Sequence, residues 1–172
     1  SHALSWGAVA LVALPVILGL AVPPRPLGAA ALDNREVVLS VENSALPASV
    51  RWVAKAAEER NMLDWWRTFQ GTSDFNSFTN QEAKVIGFVY KDPSYGEGHF
   101  LATRFIVSCC EADAAVVGLV VRWPDAALLE DDQWVEVRGK FAPSTLEGWK
   151  PPLLVAETVT VVDTPAQPYL YP

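Results

Sequence analysis

Two cysteines, two histidines and a single methionine are all the sulfur and imidazole that 172 residues carry. The cysteines, Cys109 and Cys110, are neighbours. Successive strand side chains diverge, whereas an ordinary disulfide needs its side chains to converge, so a structural bridge between them is excluded. His2 and His99 are the only imidazoles, and no serine or cysteine lies in a recognisable nucleophile motif. A Ser-His-Asp arrangement built on His99 has nothing behind it beyond residue availability. The chain reads as a protein that is not an enzyme. Basic charge is also scarce: 13 Lys and Arg stand against 20 Asp and Glu, for a net charge of -7 and a pI near 4.8. With no basic stripe to offset that charge, a phosphate backbone would be repelled, which excludes a nucleic-acid partner. The acidic residues Asp125, Glu130, Asp131 and Asp132 lack the alternating ligands and glycine of a calcium loop and read as a solvated loop.

What the chain does have is apolar length. The hydrophobic share is 51% and the mean hydropathy +0.17, but the apolar residues are concentrated at the N-terminus. Residues 4–22 run 19 positions without a charge, which at about 1.5 Å per residue suffices to cross roughly 30 Å of hydrocarbon. Residues 1–26 therefore read as a transmembrane helix, with Trp6 near one interface and Pro15 tolerated inside the span. Pro23, Pro24 and Pro26 stop it. A signal-peptide core, which is shorter and follows a basic stretch, fits less well. The anchor implies membrane lipid as a partner and the cell membrane as the location.

Residues 27–82 read as a linker and an amphipathic helical segment. A short strand is expected at 37–41. After Pro47, the residues Val50, Val53, Ala54, Ala57, Met62, Leu63, Trp65, Trp66 and Phe69 recur near helical spacing. One helix, or two broken near Asn61, is predicted, with Gly71 as its C-cap. Residues 72–80 read as a loop.

From residue 83 to 172 the texture changes to short β-branched and aromatic runs bounded by Gly, Pro and Asp, the pattern of strands and turns. Strands are predicted at 84–90, 99–109, 118–123, 134–142 and 153–162, with a brief helical piece near 126–132. The second, apolar on both faces, is expected to be central. Gly87 and Gly139 mark corners or bulges. The predicted class is mainly β with some α, a small five-stranded OB-like Greek-key barrel following the two helical segments. An open sheet on the amphipathic helix is the alternative. Trp65, Trp66, Trp123 and Trp134 read as core or membrane-resting side chains.

Several segments together carry a resemblance: MLDWW at 62–66, GFVYKDP at 87–93, RFIVSCCEADA at 104–114, WVEVRGKF at 134–141 and PYLYP at 168–172. On these the chain resembles the YcgQ-like family of two-part permease subunits. The resemblance implies two N-terminal membrane spans, a soluble domain and an integral-membrane permease encoded nearby as partner. Here one span is visible, so it would correspond to the second of two, with the first ahead of Ser1. A two-span hairpin puts the soluble domain on the side of the native N-terminus, taken here as extracytoplasmic, against the weak cytoplasmic vote of Arg25 and Arg35 under the positive-inside rule.

Cys109 and Cys110, followed by Glu111 and Asp113, form a compact set of metal-ligand types, with His99 as a more distant candidate at the far end of the same strand. Two thiolates favour zinc, copper(I) or a trivalent arsenical over magnesium or calcium. The pair could hold one ion only if the strand ends and the chain turns there. Two other readings stay open: Cys109 as a small hydrophobe continuing the apolar stripe of Leu101, Phe105 and Val107, or a redox-reactive thiol. The expected role is a membrane-anchored accessory subunit that binds a partner or substrate through its barrel, with a metal- or metalloid-binding protein as the alternative.

Overall fold

The computed structural model describes residues 6–22, 26–32, 55–147 and 149–172. The expected strand at 37–41, and the helical residues expected between Pro47 and Ala54, lie outside the described residues. Helix α1 spans Trp6–Ala21, with Pro15 inside it. Residues 4 and 5, with which the 19-residue span read from the sequence begins, lie outside the described residues. No helix among the described residues is long and apolar enough to cross a membrane. The chain resumes at Lys55 with a 3-10 turn, Ala57–Glu59, and then helix α2, Met62–Gln70.

Asn61 starts α2 because its side chain accepts the Asp64 N–H while the Asp64 carboxylate accepts the Asn61 N–H, each at 3.0 Å. This reciprocal capping satisfies two donors that a helix start otherwise leaves bare. Lys55 adds an ion pair to Asp64 at 2.8 Å. Gly71 is the C-cap, as the sequence implied, with its N–H bonded to the Arg67 carbonyl at the helix end.

Five strands follow: β1 Glu82–Tyr90, β2 His99–Ile106, β3 Ala115–Arg122, β4 Trp134–Ala142 and β5 Leu153–Val161. They close into a barrel in the order β1-β2-β3-β5-β4, with β4 returning to β1. All pairs are antiparallel except β3 with β5, where Val121 faces Leu154 and Arg122 faces Val155. This is the closed five-stranded Greek-key arrangement expected, and the open-sheet alternative is set aside. Closure gives every strand two neighbours.

Period-2 alternation sorts the strand side chains into two sets. Ala83, Val85 and Val89 of β1, Phe100 and Ala102 of β2, Val117, Leu119 and Val121 of β3, Val135, Val137 and Phe141 of β4 and Leu154 of β5 join one buried cluster. A cluster fed by every strand of a closed barrel is its interior. Helix α2 plugs one mouth: Trp65 meets Phe141 edge-on at 4.7 Å, and Phe69 meets Phe141 at 5.4 Å and Phe78 at 5.1 Å. Phe78 is buried although the segment 72–80 reads as a loop in the sequence.

Part of the outer face is also apolar, and other segments of the chain cover it. Phe88, Phe105, Val116 and Trp134 cluster with Leu32 and, less buried, Leu27 and Tyr169. Phe88 and Phe105 stack at 5.6 Å. Thus β2 is central, buried on both faces, and its one buried hydroxyl, Thr103, donates to the Phe88 carbonyl at 3.0 Å. Gly139 sits at a register shift between β4 and β5, where a Cβ would come 2.1 Å from the Val155 carbonyl oxygen. Gly87 lies against the Thr103 backbone, 2.7 Å from its carbonyl oxygen to a would-be Cβ. Both glycines are places of close backbone approach, as a tightly curled small barrel requires.

Trp65 and Trp134 are core residues, and Trp66 and Trp123 pack partly buried against the interior cluster. Asp125, Glu130, Asp131 and Asp132 are exposed, as a solvated loop should be, and two of them also fasten neighbouring backbone. Asp131 accepts the Lys91 N–H at 2.8 Å, and Asp132 accepts the Ala29 N–H, which fastens the segment 26–32 to the barrel.

Candidate functional site

Strand β2 ends at Ile106, three residues before the sequence suggested, because the C-terminal segment joins it there. Leu170 donates its N–H to the Phe105 carbonyl at 2.8 Å and accepts the Val107 N–H at 2.9 Å, forming a parallel bridge beside Ile106. Arg104 reinforces this strap through hydrogen bonds to the carbonyls of Pro168 and Gln167. The sequence offered Pro168 to Pro172 as a family signature but gave no sign that it pairs with β2.

Past Val107 the chain bends and makes a 3-10 turn, Glu111–Asp113, before β3 begins opposite Ile106. The turn folds Asp113 back over the two cysteines. Its carboxylate accepts the Cys109 N–H at 3.0 Å and the Cys110 N–H at 3.2 Å, and its own N–H donates to the Cys110 carbonyl at 3.1 Å. The two sulfurs lie 3.7 Å apart. One ligand atom from each of Cys109, Cys110 and Asp113 falls within 4.8 Å of the others, and all three residues are exposed. The condition set by the sequence, that the strand end and the chain turn, is met. The Glu111 side chain lies outside the described residues.

Exposure also removes Cys109 from the apolar stripe: both cysteines are free and face solvent, so the small-hydrophobe reading is corrected. The stripe ends at Val107, which is buried. His99 is not brought to the site. It opens β2 at the opposite end, roughly 25 Å of extended chain away, with Nδ1 against the Glu97 carbonyl at 3.1 Å.

The electrostatics centre on the Cys109 thiol and the Asp113 carboxylate. Hydrogen bonding to Asp113, then to Cys110, pushes the Cys109 thiol up to about 11. The same bond from Cys109, with the backbone donors, holds the Asp113 carboxyl below its ordinary range. A thiol so protected carries little thiolate near neutral pH, and the thiolate is the reactive form.

Two other surfaces carry clefts. OB-type barrels take ligands on one strand face between adjoining loops, but here Tyr95 stands edge-on to Trp149 at 6.1 Å over Leu101, Val120 and Leu153. Beside Trp149, between α2 and β3, the remaining cleft is about 10 Å³, lined by Trp66, Gln70 and Gly118 among others; that is room for about one water. A wider cleft of about 350 Å³ lies over Glu82, Lys84, Arg138 and Glu157. Its walls carry exposed ion pairs, Lys84 to Glu136 at 3.0 Å and Lys140 to Glu157 at 3.5 Å, which read as a solvated charge ladder.

Residues 57–172 match the family model for the DUF1980 C-terminal domain. The chain belongs to that family. It is 27% identical over 96 residues to the UPF0703 protein YcgQ of Bacillus subtilis, a match covering 55% of this chain and 34% of that protein. It is 23% identical to a Streptococcus mutans protein named as a two-component membrane permease complex subunit, covering 94% of this chain and 72% of that one. The chain thus spans about a third of YcgQ. The family expected from the sequence motifs is the family found.

Proposed function

We propose that the chain is an accessory subunit of a membrane permease, held at the bilayer by its N-terminal helix and presenting the barrel as a partner- or substrate-binding module. The observation that carries this reading is α1. Sixteen residues without a charge form a helix whose large side chains all face outward, Trp6 at 90% exposure and Leu20 at 83%. A helix apolar on every side belongs in a core or a bilayer, and the barrel's own core is already filled. At about 24 Å, α1 alone is short for a span. The uncharged sequence continues to Leu4 and Val22 on either side, which supplies the missing length. The name of the Streptococcus mutans relative supports the permease association.

On this reading the partner is an integral-membrane permease encoded nearby, and the barrel sits on the extracytoplasmic face of the cell membrane. Fractionation of cells expressing the full chain tests it. The protein should stay with membranes after an alkaline wash, and Leu11→Lys with Leu14→Lys should release it. Recovery of the unaltered chain in the soluble fraction would overturn the anchor. Co-purification in detergent with the neighbouring permease tests the partnership separately, and protease access in intact cells tests the side.

A further inference from the structure

The cluster of Cys109, Cys110 and Asp113 has a geometry that the accessory-subunit reading does not use. We infer that these three side chains form a binding site for a thiophilic divalent ion of the zinc type, with both sulfurs and the Asp113 carboxylate as ligands.

The first argument is distance. Zinc binds thiolate at about 2.3 Å in a tetrahedral shell, and two such bonds at the tetrahedral angle place the sulfurs about 3.8 Å apart. The observed separation is 3.7 Å, whereas a disulfide holds its sulfurs at about 2.05 Å. The pair is therefore already spaced for a shared ion. Adjacent cysteines in an extended strand would point apart; the bend after Val107 is what brings them to one side. The Asp113 oxygen needs about 3.5 Å to each sulfur in the same shell, and the ligand atoms lie within 4.8 Å of one another. A modest closing of the carboxylate completes the bite.

The second argument is preorganisation. A loop tip normally loses its freedom only when it binds, and that entropy opposes binding. Here the turn is fixed beforehand. The Asp113 carboxylate spans the two cysteine N–H groups, and a carboxylate has about four acceptor positions, so these bonds leave others for a metal. Both ends of the loop are anchored as well, by the Leu170 bridge next to Val107 and by the pairing of Ile106 with Ala115.

The third argument is chemistry. Two sulfur donors beside one carboxylate oxygen are the donor set of a thiophilic ion such as zinc rather than of magnesium or calcium. Binding exchanges two thiol protons for one ion, so one Zn²⁺ enters, two S–H bonds break, two Zn–S bonds and one Zn–O bond form, and two protons leave to solvent. No oxidant or reductant takes part. Three protein ligands leave a fourth tetrahedral position open, as in zinc sites that exchange or present their ion rather than bury it. This site stands or falls independently of the permease reading, since it needs only the β2–β3 turn.

The test uses the full chain in detergent. Zinc competition against a chromophoric chelator, with proton release measured in weak buffer, should give one ion per chain and about two protons per ion. Cadmium should produce a thiolate charge-transfer band in the ultraviolet. Cys109→Ser with Cys110→Ser should abolish both signals, and Asp113→Asn should weaken zinc by tenfold or more while keeping the cadmium band. Near-ultraviolet circular dichroism of the tryptophans reports that each variant remains folded. Zinc bound equally by the double-serine variant would overturn the site. So would capture of a trivalent phenylarsenical, which forms two As–S bonds and releases two waters, without stoichiometric zinc.

Discussion

Asp132 and Gly28 share one space: a Cβ on Gly28 would lie 2.2 Å from the Asp132 Oδ1 atom. The absence of that Cβ lets the carboxylate reach the N–H of Ala29. Asp132 holds its carboxylate there from a left-handed backbone, φ 66°, a conformation that Asp tolerates better than most residues. Leu32 and Ala29, both buried, are thereby laid against the barrel. Gly28→Ala should detach residues 26–32, whereas Asp132→Asn, which keeps an acceptor, should cost about 1 kcal/mol or less. Hydrogen exchange at Ala31 and Leu32 checks this, with fast exchange expected in Gly28→Ala alone.

The raised Cys109 thiol gives a prediction for pH. Its ordinary value of 9.0 becomes about 11 beside Asp113, so the thiol stays protonated through neutral pH and ionises only as pH climbs toward that upper value. Asp113 is the largest cause of that rise, with Cys110 and desolvation adding to it, and the greater nucleophilicity of a more basic thiolate offsets part of the lost thiolate. Asp113→Asn should therefore speed alkylation at pH 8 severalfold, by less than the whole rise would give. Equal rates in the two proteins would show that the carboxylate does not govern the thiol.

Much of the barrel was legible because strand signals are local. Trp134 to Ala142 alternates and is bounded by turn residues, and β4 occupies those positions. The double-faced apolar pattern of β2 also marked it as central. What escaped the sequence depends on partners distant in the chain. The sequence pattern runs β2 to Cys109, but Leu170 meets it at Val107 and the turn begins there, so Cys109 leaves the apolar stripe and joins Cys110 in an exposed cluster. The Asp132 tether joins positions 103 residues apart, and no periodicity reports that. The cysteine pair was visible as a set of ligand types, while its spacing arises from a bend that only the folded chain supplies.

Gly139 provides a test of closure. Its would-be Cβ lies 2.1 Å from the Val155 carbonyl and 2.9 Å from the Ala156 Cα, both backbone, so neither neighbour can rotate aside. Gly139→Ala must move β5 away from β4 at the register shift and should cost about 1–3 kcal/mol, the range of overpacking. Gly71 is the control. With φ -81° and nothing closer than 3.6 Å to an added methyl, Gly71→Ala should leave the denaturant midpoint nearly unchanged. A Gly139→Ala variant no less stable than Gly71→Ala would mean that the close approach does not constrain the seam between β4 and β5.

Trp65 separates two contributions that usually travel together. It is wholly buried, edge-on to Phe141, with the Arg60 guanidinium 4.8 Å above its ring, yet its Nε1 is buried with no hydrogen-bond partner among the described residues. Truncation to Ala removes an aromatic plug from the mouth of the barrel and should cost about 3–5 kcal/mol. Trp65→Phe keeps most of the ring contact and deletes the unpaired donor, whose burial itself carries a desolvation penalty of about 1–3 kcal/mol. The two terms oppose each other, so Trp65→Phe should lie within about 1.5 kcal/mol of the unaltered protein. Urea unfolding of both variants decides the matter. A Phe variant as unstable as the Ala variant would mean that the indole's full size, rather than an aromatic face against Phe141, is what closes that end.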